Sequence, residues 1–236
     1  MTHKNIVVAI DGPAGAGKST IARRVAERLG FTYINTGAMY RAIALWALRL
    51  GTELSDMHRL EQLAKEAKLD LTEGGGRVSL NGEDVTEEIR SPGVTEAASK
   101  VSAVPAVRRA LLGFQRKMAE ETSVVMEGRD IGSVVFPNAQ VKIFLDADPQ
   151  ERARRRTLEL EGSGTAANSE TVEAEMRERD QRDRTRAEAP LVQPPDAQLI
   201  ETTGLDIEQV EEAVLKVIRA RTSNGKTASF SGSDSA

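Results

Sequence analysis

The chain has 236 residues, of which 39% are hydrophobic and 29% charged, with a net charge of −4. This balance suits one domain with a buried core, and it argues against a general nucleic-acid-binding protein. The absence of cysteine excludes disulfides and thiolate metal sites. No apolar run reaches the ~20 residues of a membrane span. We therefore expect a cytoplasmic protein that has neither nucleic acid nor a membrane as a partner, and a monomer is the default expectation.

The first predicted elements are a strand, a glycine-rich loop and a helix. The apolar run "NIVVAI" predicts a strand buried on both faces. The following "GPAGAGKS" fits the phosphate-loop pattern of Gly, four residues, Gly, Lys and Ser or Thr. The next helix is expected to run to about Leu29, with Gly30 as its C-terminal cap.

In such a loop each residue type has a task. The glycines let backbone N–H groups point at phosphate oxygens without a side chain in the way. Lys18 reaches the β- and γ-phosphates, and the Ser19 hydroxyl can bind Mg²⁺, the expected cofactor. The predicted ATP-binding residues are Gly12, Pro13, Ala14, Gly15, Ala16, Gly17, Lys18, Ser19 and Thr20.

The next segments read as a strand, two helices and a small β insertion. "FTYI" predicts a short strand, and "NTGAMYRAIALWALRLG" and "DMHRLEQLAKEAKL" predict helices. Between residues 69 and 90 the pattern changes to short alternating segments on either side of Asn81-Gly82, which is a strong hairpin signal. Helices are expected again at "VTEAASKVS" and "PAVRRALLGFQRKMAEE".

Two more buried strands, "SVVM" and "VKIFLD", flank the segment "EGRDIGSVVFPNA". Arg129 and Asp130 follow the first of these strands, at the edge of the sheet where α/β folds bind ligands. For Asp130 the alternatives are helix capping or pairing with Arg129. Asp146 ends the second strand, and it is either a Mg²⁺ ligand or the N-cap of the next helix.

Arginines then recur at helical spacing. Two predicted helices carry them on single faces, namely Arg152, Arg155 and Arg156 on the first and Arg179, Arg182 and Arg186 on the second. The polar break "EGSGTAANSE" between the helices would let the first one move as a lid that delivers arginines to phosphates. The alternative is a solvated helix with Glu–Arg pairs. A last strand, "AQLIET", and a final helix with an Asp206–Gln209 capping box end the pattern.

Taken together, strands that alternate with helices predict an α/β fold, a parallel sheet covered on both faces. The segments "AIDGPAGAGKST", "NTGAMYRA", "NGEDVTEEIR", "EGRDIGSVVFPNAQVKIFLDA" and "RDQRDRTRAEAPL" together resemble the bacterial cytidylate kinases from about residue 5 to 220. The resemblance implies a three-layer P-loop NTPase fold with a β-containing acceptor-binding insertion and a helical lid. It divides one kinase domain, 1–221, into a core (1–36, 103–150, 190–221), an insertion (37–102) and a lid (151–189). Residues 222–236 are expected to be a disordered tail.

The resemblance also implies transfer of the γ-phosphate of ATP to CMP or dCMP. It places Thr36, Ser99, Arg108 and Asp130 around the cytosine, and Arg41 and Arg129 at the acceptor phosphate. Ribose and phosphate contacts would be completed by Arg179, Asp183 and Arg186. Arg156 would approach the transferring phosphoryl group, and the implied catalytic residues are Lys18, Arg129, Arg156 and Arg179.

Two alternatives remain open at this point. One is a P-loop kinase of another small acceptor, such as UMP, a different nucleotide or a shikimate-like alcohol. It would need fewer arginines on the acceptor side. The other is a nucleotide-dependent switch, although the Asn-Lys-x-Asp pattern of guanine-selective GTPases occurs nowhere in the chain.

Overall fold

A computed structural model describes residues 5–72, 76–162, 164 and 166–223. The strands are β1 Val7–Asp11, β2 Thr32–Asn35, β3 Leu69–Leu71, β4 Val78–Leu80, β5 Glu83–Asp84, β6 Val124–Gly128, β7 Val141–Asp146 and β8 Gln198–Glu201. The α-helices are α1 Lys18–Leu29, α2 Thr36–Arg49, α3 Met57–Glu66, α4 Pro92–Val101, α5 Pro105–Lys117, α6 Pro149–Gly162, α7 Ser169–Thr185 and α8 Ile207–Ser223. A short 3₁₀-helix spans Glu88–Arg90, and a π-helix spans Ile131–Val135.

The main sheet is parallel and has the order β2-β6-β1-β7-β8, which confirms the predicted α/β class. All five residues of β1 are buried, because this strand lies in the middle of the sheet. Successive side chains of a strand point to opposite faces. Val7 and Ala9 accordingly pack into one core, and Val8 and Ile10 into the other.

Each face of the sheet has its own helical layer, so the fold has three layers. The core on the first face is built mainly from α2 to α5, and the core on the second face from α1 and α8. Full burial of a Val, Leu or Ile side chain contributes about 1.5–3 kcal/mol. Because β1 contributes such side chains to both cores, the loop that follows it starts from a firmly held strand.

The predicted β insertion is present as a small antiparallel sheet, β3-β4-β5. Asn81 and Gly82 connect β4 to β5 with φ angles of 55° and 88°. Two consecutive positive φ angles are typical of the type I′ hairpin turn, so the hairpin prediction is confirmed. Val78 and Leu80 anchor the small sheet in the core formed by α2 to α5.

Several predicted boundaries are confirmed, and one is wrong by two residues. Gly30 caps α1 at a φ angle of 66°, and Asp206 and Gln209 form the reciprocal bonds of a capping box at 2.8 and 3.0 Å. Helix α8 continues to Ser223 instead of ending at Arg221, and the rest of the predicted tail, 224–236, lies outside the described residues. None of the described helices is long and apolar enough to cross a membrane.

Candidate active site

The phosphate loop connects β1 to α1, beside the point where the strand order of the sheet reverses. Ligands of α/β sheets bind at this point. Gly12 has a φ angle of 150°, and a Cβ atom there would lie 2.0 Å from the backbone oxygen of Leu145. Gly15, with a φ angle of 75°, is packed against Arg152 of α6 and Met176 of α7. Glycine is therefore needed at both positions for the loop to fit under its neighbours.

Helix α1 begins at Lys18 without a side-chain cap, and Gly17 precedes it in the left-handed region. Its first backbone N–H groups are therefore free to bind an anion. The buried Lys18 ammonium donates to the carbonyl of Pro13 at 2.6 Å. Burial lowers its pKa well below the usual value, and the nearby positive charges of Arg129 and Arg179 lower it further. A phosphate bound at this position would favour the charged form of the ammonium.

The loop also fits a magnesium nucleotide. Ser19 lines the cavity next to Lys18, where its hydroxyl can hold Mg²⁺. No cluster of three or more acidic or histidine side chains that could hold a metal occurs among the described residues. The substrate phosphates would therefore have to supply most of the metal ligands. Asp146 does not line the cavity, and its carboxylate accepts from the adjacent N–H of Ala147 at 2.9 Å. The N-cap alternative for Asp146 is wrong, because Asp148, directly before α6, accepts from the N–H of Gln150 at 2.8 Å.

On the acceptor side, Asp130 is held between two arginines. Its carboxylate accepts a hydrogen bond from Arg108 on α5 and lies 3.6 Å from the guanidinium of Arg186. All three side chains are buried. Asp130 makes no capping bond to the π-helix that follows it, and it is not paired with Arg129. Neither alternative raised for this residue, helix capping or pairing with Arg129, is therefore observed.

Half-buried Arg129 forms a second pair, with the buried Asp183 of α7 at 3.0 Å. Burial opposes ionisation of Asp183, yet Arg129, Arg179 and Arg186 hold its pKa below the usual value. Arg179 itself has no ion pair within the described chain, and burial with Arg129 nearby lowers its pKa to about 10. Its Nε atom has no hydrogen-bond partner, and the same is true of Arg41. These donors are placed to bind an anion.

One continuous cavity of about 1030 Å³ joins the phosphate loop to the acceptor side. It is lined by most of the predicted residues, namely Ala14, Gly15, Ala16, Gly17, Lys18, Ser19, Thr20, Thr36, Arg41, Arg108, Arg129, Asp130, Arg156, Arg179, Asp183 and Arg186. The predicted residues that do not line it are Gly12, Pro13, Ser99 and Asp146. Ser99 is buried behind the cavity wall, where its hydroxyl accepts from Arg182 of α7 at 2.6 Å.

The three arginines predicted to share one face of α6 have three different surroundings. Arg152 is buried beneath the phosphate loop and donates to the carbonyl of Ala14 at 3.0 Å. Arg155 bonds to Thr202 after β8, and Arg156 pairs with Glu159 of its own helix. Only the latter two arginines line the cavity. Sequence spacing alone could not separate them, because burial of Arg152 depends on the packing of α6 against the loop.

Further site residues had not been identified from the sequence. Glu127 and Tyr40 line the cavity and are buried; Glu127 accepts from Tyr33, and Tyr40 stacks with Arg108 at 5.3 Å. Asp11 is also buried, at the end of β1. Asp11 is the last residue of β1 and Glu127 is the last but one of β6, so both lie at the ligand-binding edge of the sheet, and this position was the signal that the sequence offered.

Comparisons with known proteins show the family of the chain. The family model described as "Cytidylate kinase" matches residues 8–220. The chain belongs to the cytidylate kinase family. A cytidylate kinase of Solibacter usitatus is 59% identical over 95% of this chain and 97% of its own length. A cytidylate kinase of Pelotomaculum thermopropionicum is 53% identical over 93% and 96%.

A solved structure supports the fold alone. An uncharacterized protein from Eubacterium ventriosum superposes with a TM-score of 0.53 at 15% identity, covering 92% of this chain and 99% of that one. The family model, in contrast, matches residues 8–220, which is nearly the whole described chain and includes the small sheet and both arginine-bearing helices. As a cytidylate kinase family member, the chain is a phosphotransferase with a parallel P-loop sheet.

Proposed function

We propose that this chain transfers the γ-phosphate of ATP to CMP and dCMP, giving CDP and dCDP, with Mg²⁺ bound to the donor. The observation that carries the proposal is the buried Arg108–Asp130–Arg186 cluster at the acceptor end of a cavity that begins at a phosphate loop. Family membership selects cytidine among the nucleotides that such a cavity could accept.

Cytosine recognition follows from the charges of this cluster. The cytosine base has an exocyclic amine next to two acceptors, N3 and O2. The Asp130 carboxylate can accept from the amine, and Arg108 can donate to the acceptors. Uracil has a carbonyl in place of the amine, so it would leave the buried carboxylate without a donor. A site with unpaired buried polar groups discriminates strongly against the wrong ligand.

Phosphoryl transfer needs no side-chain base here, because the attacking acceptor phosphate is already ionised. The protein contributes positioning and positive charge. We propose that Arg41 and Arg129 bind the acceptor phosphate, and that Lys18, Arg156 and Arg179 stabilise the transferring group. Mg²⁺ on the donor phosphates, with Ser19 as its protein ligand, would neutralise part of their charge. Roles of Ser99 at the base and of Asp146 at the metal remain predictions without a supporting contact.

The proposal is tested by measuring ATP consumption with CMP, dCMP, UMP, AMP, GMP and shikimate in turn. CMP and dCMP should stimulate ATP consumption far more than the other four. Equal stimulation by shikimate or another nucleotide would favour the alternative acceptor, and tight ATP binding without any acceptor-dependent turnover would favour a switch.

A sharper test is Asp130→Asn, which keeps the side-chain shape and removes the charge. The carboxamide can donate to the uracil carbonyl, so we expect CMP turnover to fall and UMP turnover to rise relative to it, while ATP binding is unchanged. Asp56→Asn, on the N-cap of α3, is the control. An unchanged ratio of CMP to UMP turnover would remove Asp130 from the base site.

The oligomeric state and the location in the cell are also part of the proposal. A monomer in the cytoplasm agrees with the composition, and we propose it for this enzyme. Sedimentation of the purified chain at micromolar concentration would test the first point, and cell fractionation the second.

A further inference from the structure

Asp11 is a buried carboxylate for which the proposed reaction has no use. It is the last residue of β1, directly before Gly12 of the phosphate loop, and only 2% of it is exposed. Its Oδ1 atom accepts from the N–H of Ile131 at 2.8 Å, and its Oδ2 atom accepts from the N–H of Gly132 at 2.7 Å. Both bonds go to the segment that directly follows Asp130.

These two N–H groups are the first of the π-helix, and the residue at its N-cap position is Asp130. An aspartate at an N-cap usually accepts from the N–H groups of its own helix. Asp130 makes no such bond, because its carboxylate is turned to Arg108 and Arg186. Asp11 thus binds the first two N–H groups of the π-helix, and the second of them, that of Gly132, is one that an N-cap side chain normally binds.

The strand register explains how Asp11 reaches them. Asp11 lies opposite Gly128 in the β1–β6 pair. After Gly128 the chain folds back over the end of the sheet, and a Cβ atom at Gly128 would lie 2.7 Å from the side chain of Ile131. The glycine therefore lets Ile131 and Gly132 come close enough to donate to Asp11.

We propose that Asp11 is a positioning residue that caps the π-helix from the neighbouring strand and so keeps the Asp130 carboxylate free for the acceptor base. The same two hydrogen bonds connect the segment after Asp130 to Asp11, which directly precedes the phosphate loop. The role assigned to Asp130 rests on the proposed function, whereas the capping bonds do not.

Asp11→Asn is the appropriate perturbation, because the carboxamide has the same shape but keeps only one acceptor. Its NH₂ group then faces a backbone N–H, and Asp130 becomes the better cap for its own helix. We expect the ratio of kcat/KM for CMP to that for UMP to fall about tenfold, the scale of one lost hydrogen bond to a charged group. Direct binding of ADP should change little. Asp56→Asn, at the N-cap of α3 away from the cavity, is the matched control and should leave the ratio unchanged.

A purely structural role would lower the melting temperature without changing the CMP to UMP ratio, and that result would overturn the proposal. If Asp11→Asn does not fold, Asp11→Ser is measured in the same way. Failure of both to fold, while Asp56→Asn folds, would assign Asp11 to fold stability and also overturn it. A wild-type enzyme without CMP preference would instead refute the proposed function, so the two failures are distinguishable.

Discussion

Arg152 of α6 provides the most demanding test of how the phosphate loop is supported. Only 5% of the residue is exposed, and its guanidinium donates to the carbonyls of Ala147 and Ala14, both at 3.0 Å. It also forms an ion pair with Asp180 of α7 at 2.6 Å. One side chain therefore joins the loop to both arginine-bearing helices.

The substitution Arg152→Met keeps most of the apolar stem and removes the charge. It leaves Asp180, whose side chain is 13% exposed, without a cation, and its Oδ1 atom already has no partner. Breaking a buried pair by removing one partner costs about 3–5 kcal/mol. We expect this loss in the free energy of unfolding. The control is Arg154→Met on the same helix, because the Arg154 side chain is 61% exposed and its one ion pair among the described residues is with Glu151. It should cost at most about 1 kcal/mol.

Urea unfolding of the two variants and the wild type measures both values. A second comparison uses the double substitution Arg152→Met with Asp180→Leu. Removal of both partners leaves no unpaired charge, so most of the loss should be recovered. If Arg152→Met costs no more than Arg154→Met, the buried pair does not hold the loop. If the double variant is as unstable as the single one, the carbonyl bonds rather than the ion pair account for the cost.

Three further predictions concern the loop, the acceptor side and pH. Gly12→Ala should abolish ATP binding in calorimetry, since its Cβ would lie 2.0 Å from the Leu145 oxygen, whereas Gly113→Ala, in open space on α5, should not. Arg179→Met should lower kcat yet stabilise the protein in urea by up to ~3 kcal/mol, because burial near Arg129 lowers the pKa of this arginine to about 10. Burial raises the pKa of Asp11 from 3.8 to about 6, so its contribution to stability is full below about pH 4 and is lost above about pH 6. Wild-type stability relative to Asp11→Asn should fall over that window by up to ~3 kcal/mol, and a flat difference would contradict it.

The fold was largely predictable because its signals are local. Short apolar runs marked the strands of the main sheet, and Asn81-Gly82 marked the hairpin by its need for positive φ angles. The phosphate loop was recognisable because glycine, lysine and serine have fixed tasks at fixed spacing. The end of α8 was misplaced because no glycine or proline stops the helix at Arg221.

The site was predicted less completely, because burial of a charge depends on contacts far apart in the chain. Arg152, Arg155 and Arg156 look alike in sequence, yet only Arg152 is buried, and it meets Ala14 across 138 residues. Asp11 and Glu127 look like ordinary strand ends until their partners are known. Ser99 was assigned to the base by resemblance, but its observed partner is Arg182.

The charges around the cavity connect folding to function. The buried or half-buried cations that line the cavity outnumber the carboxylates: the cations are Lys18, Arg41, Arg108, Arg129, Arg155, Arg156, Arg179 and Arg186, and the carboxylates are Glu127, Asp130, Glu151 and Asp183. The depressed pKa values of Lys18 and Arg179 show that burial and mutual repulsion oppose this arrangement. The packing of α6, α7 and the π-helix holds these side chains together. Electrostatic preorganisation of this kind spares the enzyme the cost of reorienting dipoles during the reaction. Bound phosphates would supply the missing negative charge, so ligand binding should raise the free energy of unfolding. The same excess of positive charge would stabilise the negative charge of the phosphoryl group during its transfer.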